Sequence, residues 1–452
     1  MKYASARQVA LLVGLMLPVL ALAQTKLTLE QAVTTALEKN PTRKSVVFEV
    51  QTAAADTRLA RSALFPRIGL AEAFQRSNDP VFVFGSRLRQ HSFSTADFAL
   101  NRLNTPTPLN NFATHFSGNW QVFDSGVSWL RVRQAQKMDD VARHKLQRTD
   151  QELMMRVVDA YSFLLLAFKQ QQVAEDAVKT SQSILDRSSA NVQAGMVVES
   201  DLLSAQVNHA AREQEIIRAR NAVALARAQL NYEMGVPAET QYDPADGLAE
   251  KVFPAASLED LEKDALKQRP DLQALTTQQA VQKDGIRAAK VSFGPRVNAV
   301  ANWELDNPRF TGGGGNNWIA ALEIQVDLFD GGAKRAHLQH ERAMKGRVDA
   351  LHEAAINGVR LEVRKAYFDL EAARKQVEVA RASVAQAQES LRIGQNRYGA
   401  GLSTITDLLR MQEAALRAQT DYLQSLYRLQ TGYANLELAT GTLDANSPVV
   451  KQ

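Results

Sequence analysis

The sequence predicts a mainly α chain with a transmembrane β part. A long coiled-coil α-barrel is expected to join a β-barrel closed by trimerisation, with about 4 strands per protomer and about 12 in total. Three observations predict it: a rod-length helix without breaks, a second copy of that rod, and short stretches that alternate with a period of two.

The rod runs from Ala333 to Gly399. Apolar or small residues recur at Val359, Val363, Ala366, Leu370, Ala373, Val377, Ala380, Val384, Ala387 and Leu391. Alternating steps of four and three make a heptad seam, which asks for a coiled-coil partner. No Pro interrupts it. A helix of about 67 residues spans roughly 100 Å, longer than a globular domain needs.

The same pattern occurs earlier. Ala160-Tyr161 falls on Ala366-Tyr367, Ala194-Gly195 on Ala400-Gly401, and Asp201-Leu202-Leu203 on Asp407-Leu408-Leu409, all at an offset of 206. Upstream the offset is 229, placing Pro41 on Pro270 and Pro66-Arg67 on Pro295-Arg296. The difference of 23 residues is extra length in one loop of the first copy. Such a period is too long for a solenoid and reads as a duplicated half-molecule.

In chain order, residues 1–23 read as a signal peptide. Lys2 and Arg7 precede an apolar run from Val9 to Leu22, then Ala21-Leu22-Ala23 before Gln24. That run is too short to span a bilayer. The formal charge of +4 falls to +2 without those two cations. Charges are interleaved along the rods, which argues against a nucleic-acid partner. The chain has no Cys, so disulfides, thiolate sites and N-terminal lipidation on Cys are not expected. No later apolar run is long enough for a transmembrane helix.

Residues 24–235 form the first repeat. Helices are expected at Leu27–Lys39 and Thr42–Leu64, then strands at about 67–77 and 112–123. Ile68, Leu70 and Phe74 alternate with smaller or polar residues; Phe112, Phe116, Trp120 and Val122 alternate with Ala113, His115, Asn119 and Gln121. The long connection 77–111 holds Phe82, Phe84, Phe93 and Phe98 and reads as a packed cap. Rod 127–193, tip 194–201 and a returning helix Glu199–Met234 follow. Residues 236–257 read as a linker.

The second repeat is 258–441, with strands at about 296–305 and 317–328, rod 333–399, tip 400–407 and a returning helix from Ser403 to Thr440. A short tail, 442–452, ends the chain. Each strand is about 10 residues, enough to cross a bilayer when tilted. Trp and Phe near the strand ends suit the membrane interface. An open edge in lipid leaves unpaired backbone groups at several kcal/mol each. Closure must therefore come from oligomerisation. A dimer supplies about 8 strands, whose interior side chains fill; the rods imply a wider tube, so a trimer fits better.

These features resemble the TolC-like outer-membrane efflux protein family over the whole mature chain. The duplicated halves carry the resemblance, with the tips Arg397-Tyr398-Gly399-Ala400-Gly401 to Asp407-Leu408-Leu409 and Ala194-Gly195 to Asp201-Leu202-Leu203. The resemblance implies a homotrimeric outer-membrane channel continued by a periplasmic helical tunnel in a Gram-negative bacterium. It implies docking to a periplasmic adaptor (membrane fusion) protein and an inner-membrane RND or ABC transporter, in efflux or type I secretion. In that family the rod tips close the tunnel as an iris. Ser200, Asp201, Tyr398 and Asp407 occupy gate positions. Two departures stand out: Ser403 occupies a family Arg position and Arg410 an Asp position. Asp407 and Arg410 are spaced to pair on one helix face, worth about 0.2–0.5 kcal/mol. Helix capping by Ser200, Asp201, Ser403 and Asp407 is the simpler role. Adaptor docking is expected at Gly195, Gly401, Leu202 and Leu408.

No enzyme is indicated, and no cofactor. His337 and His340 lack a zinc-site context. Gly312–Gly315 precedes a strand rather than a helix, so it is a turn and not a phosphate cradle. The competing reading is a periplasmic coiled-coil adaptor or scaffold, whose strands form soluble sandwiches and whose hairpin occurs once; the duplicated strand pairs with aromatic ends decide against it.

Overall fold

The computed structural model describes residues 25–250 and 257–451. The expected signal peptide lies outside the described residues. The chain is built from two rods, a four-stranded sheet at one end of them, and a collar of short elements around their middle.

A first strand, β1 (Thr25–Leu27), leads into α1 (Leu29–Lys39). The helix starts two residues later than expected because Thr28 caps it: Thr28 Oγ1 accepts from the Gln31 N–H, and Gln31 returns a bond to the Thr28 N–H. Asn40 then caps α2 (Pro41–Ser62), with Pro at the first turn. Strands β2 (Arg67–Ser77) and β3 (Leu109–Phe123) form a hairpin. Between them lie α3 (Pro80–Arg89), a 3₁₀ turn (Thr95–Phe98) and α4 (Leu100–Asn104).

The first rod, α5 (Val127–Gln193), returns as α6 (Glu199–Met234). The expected linker is not bare, because β4 (Tyr242–Pro244) pairs in parallel with β1. Helices α7 (Leu258–Gln268) and α8 (Pro270–Val291) repeat the pattern of α1 and α2. The hairpin β5 (Arg296–Asn307) and β6 (Gly315–Gln325), the rod α9 (Ala333–Gly399) and α10 (Ile405–Thr440) complete the second half.

Both rods leave the sheet through the same device. Asp124 accepts from the N–H groups of Gly126 (3.1 Å) and Ser128 (2.7 Å). Asp330 accepts from those of Gly332 and Lys334, each at 2.9 Å. Gly126 and Gly332 hold φ near +89° and +88°, a conformation open to glycine. These carboxylates satisfy the first free N–H groups of each rod from outside the helix.

The sheet order is β2-β3-β5-β6, antiparallel throughout. Register sorts its side chains onto two faces. Leu70 pairs with Phe116, Phe116 with Trp303, and Trp303 with Trp318, so these share one face. His115 pairs with Glu304, and Glu304 with Asn317, on the other. Ile68, Leu70, Trp318, Leu322 and Ile324 are all exposed on the apolar face. Among the described residues, strands β2 and β6 have no outer neighbour.

The main core lies where the collar crosses the rods. Leu29 and Val33 of α1 pack with Val157, Tyr161, Leu164, Leu230 and Met234; Leu443, Val449 and Val450 of the tail join the same cluster. Tyr161 donates its hydroxyl toward Leu27 O (2.8 Å) and Asp246 (2.7 Å), tying β1 and the β4 segment to the rod. Burial pushes the Tyr161 pKa up, with the Asp246 carboxylate adding to it. Among the described residues no helix is long and apolar enough to cross a membrane. In lipid, closed β structure is the alternative to helices.

Candidate functional site: the rod tips and the sheet

Each rod ends in a Schellman motif. In the first, Gly195 N–H bonds Val192 O (2.9 Å) and Met196 N–H bonds Asn191 O (2.8 Å). In the second, Gly401 N–H bonds Tyr398 O (3.0 Å) and Leu402 N–H bonds Arg397 O (2.8 Å). Gly195 and Gly401 hold φ of +67° and +73°, and a Cβ at either would meet open space. Backbone conformation, rather than close approach within the protomer, is what these two positions require. Close approach occurs instead at Gly394, where a Cβ would run into the Met411 side chain.

A small second core fills the tip. Ile184 of α5, Ala205 of α6, Tyr398 of α9, and Ile405 and Leu408 of α10 are buried together. The Tyr398 ring sits in this core with its hydroxyl 2.9 Å from Ser188 Oγ on the other rod. Below it, Asn208 Nδ2 donates to Gln412 Oε1 (3.1 Å), and Arg212 pairs with Glu413 (2.7 Å). Three polar contacts therefore join one hairpin to the other near the tip.

Several expected site residues need correction. Leu408, placed at the docking surface from the sequence, is 2% exposed and belongs to the tip core. Leu202 is half-buried. Asp407 does not pair with Arg410. Its carboxylate accepts from Thr404 Oγ1 (2.7 Å), and Thr404 Oγ1 accepts from the Asp407 N–H (3.2 Å), while Arg410 is exposed. The cap of α10 is thus Thr404 rather than Ser403, whose hydroxyl is buried without a partner. In the first tip the cap position is Val198, which has no side-chain acceptor, so neither Ser200 nor Asp201 caps α6. Ser200 is exposed; Asp201 is half-buried in the first turn, where a carboxylate suits the helix dipole.

Sequence reasoning missed Ser188 and Thr404. Thr404 was detectable, because Thr404-x-x-Asp407 has capping-box spacing. Ser188 carried no local signal. It also missed the exposed apolar side chains around the turns: Met196, Val198, Leu203 and Leu402. Among the described residues no cluster of acidic and His side chains is placed to hold a metal ion.

The arrangement offers two helical hairpins with polar links at their tips and a sheet that is apolar on one face and polar on the other. Comparison with known proteins gives the family. The description "Outer membrane efflux protein" matches residues 32–236 and 261–442, one match per half.

The chain belongs to the outer membrane efflux protein family.

Two curated relatives illustrate the likeness to this outer membrane efflux protein. It is 26% identical to the protein CyaE of Bordetella pertussis over 338 residues, covering 73% of this chain and 71% of CyaE. It is 22% identical to the outer membrane protein OprJ of Pseudomonas aeruginosa over 425 residues, covering 91% and 84%. A solved membrane protein from Pseudomonas aeruginosa superposes with a TM-score of 0.80 at 18% identity, covering 94% of this chain and 93% of that one. The structural match carries the fold: long α hairpins joined to a small β part. The family is one of efflux channels of the outer membrane and is not known as an enzyme family.

Proposed function

We propose that three copies of this efflux protein close a β-barrel of about 12 strands in the outer membrane and a helical tunnel beneath it. The duct is passive and serves a tripartite efflux or type I secretion system. A periplasmic adaptor and an inner-membrane RND or ABC transporter supply energy and open the tip. The observation that carries this reading is the four-stranded sheet, apolar on one face and unpaired at β2 and β6. Unpaired edges are not tolerated in lipid. Three copies related by a threefold axis pair each β6 with the next β2.

At the other end, Tyr398, Ser200, Asp201, Ser403, Asp407 and Arg410 gather on or beside the tips, and in a threefold assembly each becomes a ring. The gate is read as resting on polar links such as Tyr398–Ser188. Adaptor docking is read onto the turns at Gly195 and Gly401, with Leu202 and the exposed Met196, Val198, Leu203 and Leu402 as the apolar contacts. Mass measurement of the detergent-solubilised protein tests the assembly. Three chains are expected; a stable monomeric pore would overturn it.

A further inference from the structure

The connection between β2 and β3 lies at the end of the sheet remote from the rods, and it holds the 23 residues that the second half lacks. Its side chains pack on one another. Phe84, Phe93 and Phe98 stack edge to face at 4.8 and 5.2 Å, and Val83 is buried. Asp97 accepts from both the N–H and the hydroxyl of Ser94 at 2.9 Å. It also pairs with Arg87 (3.4 Å) and Arg102 (3.5 Å). The Ser94 bonds, then the two guanidinium groups, hold its carboxyl below the usual range.

The anchors of this segment choose one face of the sheet. Arg89 pairs with Glu304 (3.1 Å). Gln90 Nε2 donates to Asn111 Oδ1 and Asn110 O, each at 2.9 Å. Asn317 Nδ2 donates to Arg89 O (3.3 Å). A Cβ on Gly315 would collide with the Arg89 carbonyl, so the helix end lies directly on β6. Glu304, Asn111, Asn317 and Gly315 alternate with Trp303, Phe112 and Trp318 and so occupy the polar face. In a membrane barrel the apolar face meets lipid and the polar face lines the interior. The segment therefore folds into the barrel rather than away from it.

We propose that residues 78–108 are an inward-folded plug that narrows the outer mouth of the barrel, a second restriction at the end opposite the helical tips. This rests on the trimeric barrel reading above. Three copies converge on one axis, each held to its own wall. The Arg89 pairing is exposed and water can replace it, whereas the Gln90–Asn111 bond is buried, so the segment stays anchored at its end while its outer part can yield to a large exported molecule and return.

The Cys-free chain makes a direct test possible. Single cysteines are introduced as Gly313→Cys, in the β5–β6 turn, and as Asn302→Cys, on the polar face closer to the rods than Glu304. Intact cells carrying the full chain are treated with a bulky polyethylene-glycol maleimide. Gly313→Cys is expected to react readily and Asn302→Cys at least about tenfold more slowly, since it must wait for local opening. Replacing residues 79–107 by a short Gly turn should remove that difference. Arg89→Ala with Gln90→Ala, which keeps the loop length, should reduce it and stands if the deletion fails to assemble. Equal rates at Asn302→Cys with and without the anchors, in variants whose trimer mass is unchanged, overturn the plug. No reaction at Gly313→Cys overturns the barrel reading and the plug with it.

Discussion

The hydroxyls of Tyr398 and Ser188 lie 2.9 Å apart, joining the last turn of the second rod to the last turns of the first. Both groups are buried, and 210 residues separate them in the chain. If the tunnel opens by moving one hairpin past the other, this contact must break. Tyr398→Phe keeps the ring among Ile184, Ile405 and Leu408 and removes only the bond, worth about 0.5–1.5 kcal/mol. Raised conductance in a planar bilayer is expected, with trimer mass unchanged. Ser188→Ala should act in the same direction, and the double variant should add little to either. Wild-type conductance in both would remove Tyr398 from the gate.

Gly401 separates backbone strain from docking. Its φ of +73° penalises any side chain, yet a Cβ there meets nothing. Gly401→Ala should cost about 1 kcal/mol and lower thermal stability slightly while export continues. Gly401→Trp adds bulk to an exposed turn and should abolish export, with membrane insertion and trimer assembly intact. Normal export by the Trp variant counts against docking here.

Thr404 caps α10 through the Asp407 N–H, and the Asp407 carboxylate accepts from the Thr404 hydroxyl, but the two side chains differ in charge. Three Asp407 carboxylates around an axis, at an illustrative 6 Å and an effective dielectric of about 20, repel pairwise by roughly 3 kcal/mol. Asp407→Ala should weaken cation preference and block by multivalent cations, with a smaller effect on closure. Thr404→Ala removes the cap, at about 0.5–2 kcal/mol, and should lower thermal stability while leaving selectivity alone. If Asp407→Ala leaves selectivity unchanged, its carboxylate serves only the helix end.

Glu437 supplies a pH dependence in the collar. Burial is the main cause that pushes its carboxyl from 4.5 to about 7; Asp444 adds to this, while bonds from Ser447 and Tyr433 oppose it. Between those two values the folded chain holds a proton that the unfolded chain releases. Stability is therefore fully present below pH 4.5 and declines as pH rises toward about 7. The effect has a ceiling of about 3 kcal/mol. Glu437→Gln should melt higher than wild type at about pH 8 and close to it at about pH 5. Parallel melting curves across that range would show that Glu437 ionises freely.

The sequence by itself marked the rods, the strands of the large sheet and their duplication, but not β1, β4, α3 or α4. An unbroken heptad seam ending in a glycine is a local pattern, so both 67-residue rods were legible. Alternation with period two likewise marked the four strands of the large sheet and its apolar face. The tip residues were legible as positions, because Gly195 and Gly401 announce the turns. Their surroundings were not. Leu202 and Leu408 occupy equivalent places in the two halves, yet one is half-buried and the other lies in the tip core. That difference arises where α10 packs on α5, a contact between hairpins that no periodicity encodes. The same holds for Ser188 as the partner of Tyr398, for β4 as the partner of β1, and for the face of the sheet on which α3 lies. Local sequence sets backbone conformation and which side of an element is apolar. Which surfaces then meet is decided by packing between segments some 200 residues apart, and only the tertiary structure holds that information.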